Sequence, residues 1–115
     1  AVFLKNTKAI NCDTHWFGGP DFAVEVASSG ERVKRKLAFY AKVGTRELLI
    51  VDRYPWKLSL YQLVDNELQL VGTSTVEFGE WMPSSVVPLS FRLISGVERP
   101  RIDVRHSDGR QTWVI

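Results

Sequence analysis

The segment Gly19-Pro20-Asp21-Phe22-Ala23-Val24-Glu25-Val26-Ala27-Ser28 sets a glutamate inside an apolar run, with a second acid, Asp21, at its mouth. A carboxylate on a dry strand is costly unless it is paired, hydrogen-bonded or bound to a cation. Acids placed at the end of a sheet can hold hard divalent cations, which take oxygen ligands. Asp21 and Glu25 share one side of an extended strand. They are nevertheless about 13 Å apart along it, so without a bend they cannot chelate one ion together. A partner acid would have to come from a neighbouring strand, and the sequence shows no other acid in an obvious flanking strand. Asp21 is therefore read either as a ligand or as a turn acid. Glu25 is read either as a ligand or as the partner of a basic side chain.

The basic cluster Arg32, Lys34, Arg35 and Lys36 follows directly. Lys36 lies at the edge of an apolar stripe, a turn before Tyr40. From there an ammonium can reach a carboxylate or a phosphate, for which a compact point charge is well suited. The alternative is a surface lysine with its stem along apolar ground. Lys34 and Arg35 read as a solvated face.

The elements that must position these groups follow from periodicity. Residues 1–4 read as a short buried strand and residues 5–19 as a loop with at most a partial strand. Pro20 opens a strand through residue 27, a position where proline is tolerated. Residues 31–43 read as a helix with Val33, Leu37, Tyr40 and Ala41 on one face and Gly44 as its C-cap. Residues 47–52 form a continuous apolar run, the pattern of a strand covered on both faces. The strand–helix–strand order predicts a crossover between parallel neighbours. Residues 57–63 and 67–71 alternate around Asp65-Asn66 and predict a hairpin. Further strands are expected at 86–93, 101–105 and 111–115, the last two joined by a turn at Ser107-Asp108-Gly109. The expected class is α/β, with one main helix on a mixed sheet and C-terminal β-hairpins.

The chain has 115 residues, a size that predicts one domain over residues 1–115 with a core of its own. A formal charge of +2 is weak evidence for a polyanionic partner, so the local basic cluster says more. The single cysteine, Cys12, excludes an internal disulfide and suits a reducing compartment, so a cytoplasmic location is expected. Cys12 reads as a structural thiol. His15 and His106 lack partners at zinc spacing. No apolar stretch has the ~20 residues of a membrane span, and no membrane partner is expected. Trp16, Trp56, Trp81 and Trp113 read as core or interface residues.

Taken together, Pro20 to Ser28, Lys36-Leu37 and Tyr40, Gly44 with Glu47-Leu48-Leu49-Ile50-Val51-Asp52, and the alternating strand that follows resemble the Uma-type restriction endonucleases of the PD-(D/E)XK superfamily. The resemblance covers residues 1–93. It implies a restriction-endonuclease-like core, a divalent cation taken to be magnesium, and hydrolysis of DNA phosphodiester bonds. In that family one acid comes from a Pro-Asp pair on the strand preceding that of Glu25, followed by an apolar run like Ala1-Val2-Phe3-Leu4. The resemblance thus places the first catalytic acid before Ala1, and the chain is expected to be an N-terminally truncated, inactive piece. The superfamily lysine would fall at Ala27, and Lys36 is its migrated substitute on the helix. The implied site has Glu25 and Lys36 as catalytic residues, Asp21 and Glu25 toward magnesium, and Arg32 and Lys36 toward DNA. A homodimer or higher oligomer is expected, since cutting both strands commonly takes two copies. The rival expectation is a non-catalytic nuclease-fold module for interaction or oligomerisation, which the alanine at position 27 fits.

Overall fold

The computed structural model describes the backbone of residues 10–11, 16–17, 20–27, 30–53 and 56–115, and the side chains of residues 20–27, 33–53 and 56–115. The expected strand at 1–4, Cys12, His15, the side chain of Trp16, the turn at Ser28-Ser29 and the side chain of Arg32 lie outside this set. A two-stranded antiparallel ribbon joins β1 (Ile10–Asn11) and β2 (Trp16–Phe17). The first larger sheet has the order β3 (Phe22–Ala27), β4 (Glu47–Arg53), β5 (Trp56–Val64), β6 (Glu67–Ser74). The helix α1 (Gly30–Lys42) connects β3 to β4. The second larger sheet runs β10 (Thr112–Val114), β9 (Arg101–His106), β8 (Leu89–Ile94), β7 (Met82–Pro83). The described residues are thus mixed α/β, with one helix.

β3 and β4 pair in parallel, with Glu25 beside Ile50 and Ala27 beside Asp52. All other neighbours are antiparallel. Alternation sorts the first sheet into two faces. Ala23, Ala27, Leu48 and Ile50 are buried under Val33, Leu37 and Tyr40 of the helix. Phe22, Leu49, Val51, Leu58 and Leu60 face the other way and form one core with Met82, Val87, Phe91, Leu93 and Val104. Phe22 stacks on Phe91 at 5.7 Å between centroids. The layers are therefore helix, first sheet, second sheet.

Most boundaries shift by a few residues, and two of the shifts have a clear local cause. β3 begins at Phe22, because the Asp21 carbonyl accepts the amides of Arg46 and Glu47 (both 3.1 Å) and Asp21 itself forms a bend. β8 begins at Leu89, because Ser84 Oγ accepts the amides of Val86 and Val87 (both 3.0 Å) and curls that stretch into a turn. The helix ends as its sequence demands. Gly44, at φ +80°, lets Thr45 N donate to Tyr40 O and Gly44 N to Ala41 O, a glycine-dependent stop. Asp65 and Asn66 both have positive φ, the conformation of a two-residue hairpin turn whose twist suits the flanking strands.

Candidate active site on the edge strand

Among the described residues β3 has a neighbour on one side only, β4, so Glu25 stands on an edge strand. Its flanking residues on the helix face, Ala23 and Ala27, are small and buried, which lets α1 lie close. Lys36 and Tyr40 are one helical turn apart and share the helix side that overlooks Glu25. Lys36 Nζ donates to Glu25 Oε2 at 2.6 Å, and Tyr40 Oη donates to Glu25 Oε1 at 2.5 Å. Lys36 Nζ also lies 3.4 Å from the Val26 carbonyl. The side chains of Lys36 and Glu25 are 27% and 28% exposed, so the pair faces solvent rather than a sealed core.

The electrostatics follow from these contacts. The Lys36 hydrogen bond, then that of Tyr40, holds the Glu25 carboxyl below its ordinary value, against a smaller opposing effect of burial. Burial first, and the Glu25 carboxylate second, push the Tyr40 phenol up to about 12. Glu25 is thus a fixed anion at neutral pH with one cationic and one neutral donor. Its depressed titration contributes stability above the ordinary value of 4.5, which is lost as pH falls through the lower folded value. Tyr40 works in the opposite sense. Its contribution is full below 10 and is lost as pH rises toward about 12. Tyr40→Phe is expected to make the acid limb of a stability-against-pH profile shallower and to remove the Tyr40 share of the alkaline limb. Thermal melts across pH read both limbs, and unchanged limbs would show that the hydroxyl does not serve Glu25.

The structure brings Glu25 and Lys36 together, and it adds Tyr40. The sequence reading had placed Tyr40 in the apolar stripe and among the residues of the resemblance, without a role at the site. Its four-residue spacing from Lys36 was the signal for a shared role. Asp21 is not brought to Glu25. It is buried at the start of the segment, four residues away, beside the backbone anchor of Arg46 and Glu47. The flanking strand does carry an acid, contrary to the sequence reading. Asp52 lies beside Ala27 on the helix side of β4, one step beyond the Glu25 rung. It raises the Tyr61 phenol, second to burial. His106 Nδ1 lies 3.1 Å from Asp108 Oδ1 and serves the β9–β10 turn.

A hard cation can be tested against this donor set. Among the described residues no group of three or more His, Cys, Asp or Glu is placed to hold a metal. Magnesium, however, keeps several waters and is commonly bound through one or two carboxylates. A carboxylate offers about four lone-pair positions, of which Lys36 and Tyr40 take two at Glu25. Glu25 therefore fits as a single carboxylate contribution to such an ion. Among the described residues, no helix is long and apolar enough to cross a membrane.

No curated protein and no solved structure matches the chain. A family model described as "Putative restriction endonuclease" matches residues 1–95, a span that contains β3, α1, β4 and the whole Glu25–Lys36–Tyr40 constellation. The chain belongs to the Uma2 family, whose model carries that description.

Proposed function

We propose that this chain carries a metal-dependent endonuclease site that hydrolyses DNA phosphodiester bonds, within a single PD-(D/E)XK-type domain. The observation that carries the reading is the Glu25 carboxylate, held at 2.6 Å by Lys36 and 2.5 Å by Tyr40 on a solvent-facing edge strand. Glu25 would hold magnesium, which lowers the pKa of a bound water and offsets charge on the phosphate. Tyr40 keeps the carboxylate in one rotamer. Lys36, released from the ion pair when phosphate enters, holds a non-bridging oxygen or orients the attacking water. Asp21 is assigned to bracing the loop ahead of β3 rather than to ligation. Arg32 is assigned, by its place beside Lys36 in sequence, to the DNA backbone. Two copies acting on opposite strands would complete a double-strand cut in the cytoplasm, and light scattering of the chain at high concentration tests the dimer.

One observation favours the rival reading of a non-catalytic module: both Glu25 oxygens are already engaged, which also suffices to neutralise a carboxylate on a strand. Cleavage of supercoiled plasmid by the full-length protein with magnesium, with EDTA, and by its Glu25→Gln variant separates the two. The nuclease reading requires cleavage that needs both the cation and Glu25.

A further inference from the structure

The outer face of the second sheet carries a cluster that the Glu25 site does not use. Alternation turns Phe91, Leu93 and Val104 into the core and leaves Ser90, Arg92, Arg101, Asp103 and Arg105 on the opposite face. Trp81, the residue before β7, spreads its indole over this face. The guanidinium carbons of Arg92 and Arg105 both sit 4.4 Å from the Trp81 ring centroid. Ser90, cross-strand from Arg105, is small and leaves room for the ring. Arg92 is also fixed by Asp103, with Nε and Nη2 both 2.9 Å from Oδ2. Arg105 has no ion pair among the described residues, and Arg101, two positions beyond Asp103, is exposed.

The one acid of this cluster is thus spent on one of its three arginines. A guanidinium held over an indole is weakly hydrated and pre-ordered, and its N–H groups can still bind phosphate oxygens. The indole is covered by guanidinium groups, so it is not a platform for bases. The face therefore suits the backbone of a nucleic acid and carries no sequence readout.

We propose that the outer face of the second sheet is a DNA-backbone contact in which Arg101 and Arg105 bind phosphates, with Arg105 held ready by Trp81. The identity of the polyanion rests on the nuclease reading, whereas the binding does not require catalysis. The core between the sheets separates this face from the helix that bears Lys36, so it is a second contact and not an extension of the Glu25 site.

The test is fluorescence anisotropy of a short labelled duplex of arbitrary sequence, in EDTA, over a salt series. Arg101→Gln/Arg105→Gln is expected to weaken binding roughly tenfold at ~0.1 M salt and to lower the slope of log K against log salt by about 2. Arg101→Lys/Arg105→Lys should keep most of that slope, because phosphate neutralisation needs charge. Arg101→Gln alone changes an exposed side chain and should lower the slope by about 1, which keeps the test open if the double variant folds poorly. Equal affinity and equal slope for Arg101→Gln/Arg105→Gln and the unsubstituted chain would overturn the proposal, as would the absence of duplex binding at low salt. A full-length protein that shows these arginine effects but never cleaves would sink the nuclease reading and leave this one standing.

Discussion

In the full-length protein, Glu25→Gln is expected to lose magnesium-dependent cleavage by more than ~10³-fold while the fold persists. The substitution keeps the side-chain shape and one acceptor oxygen but removes the charge on which a hard cation and the Lys36 ammonium both depend. The stability cost should be small, because the carboxylate is 28% exposed and the core beneath it is alanine and isoleucine. Magnesium binding, read by calorimetry, should vanish with activity, and melting should shift by only a few degrees. Lys36→Met gives the complementary pattern: about 10²–10³-fold lower kcat with the cation still bound. Full metal-dependent cleavage by Glu25→Gln would remove Glu25 from the mechanism.

Much of this site could be read without coordinates, for a physical reason. The apolar run around Glu25, the amphipathic stripe of α1 and the apolar run of β4 are local patterns, and a short strand–helix–strand link leaves few ways to pack them. Placing Lys36 over Glu25 needed only the helix phase. What escaped was nonlocal or chemically double. Tyr40 fits an apolar stripe by its ring, which hides the work of its hydroxyl. Asp52 stood at the end of an apolar run, and only the parallel register puts it beside Ala27. β7 spans just Met82–Pro83, too short for any period, and it forms because β8 is there to pair with.

Glu47 is the clearest case of a nonlocal partner, and it carries the second large expected effect. It begins β4, is 1% exposed and faces the core between the sheets. Its carboxylate accepts Ser84 Oγ, Ser85 N at 2.9 Å and Ser85 Oγ at 2.8 Å. Ser85 Oγ in turn accepts Gln62 Nε2 at 2.6 Å, from the strand next to Glu47. One acid thereby fastens the turn ahead of β8 to the first sheet. Glu47→Ala strands these donors and opens a void, and it should cost about 3 kcal/mol. Urea unfolding should show a lower midpoint at unchanged slope. Glu47→Leu combined with Ser84→Ala should recover part of the loss, because removing both sides of a buried hydrogen bond is cheaper than removing one. A midpoint unmoved by Glu47→Ala would mean that the two sheets hold together by apolar contact alone.

The place of β3 at the margin of its sheet has a kinetic side. β4 to β6 and β7 to β10 join sequence neighbours through antiparallel pairing, which closes quickly. β3 instead pairs in parallel across the whole of α1, so its docking waits on the helix. The strand that bears Glu25 is then expected to lock after β4 and β5 and to open before them. In native-state hydrogen exchange its amides should exchange ahead of those of β4 and β5. A cation or a DNA strand gripping Glu25 and Lys36 together would clamp β3 to α1 and slow that exchange. Substrate would in this way complete the folding of the site that acts on it.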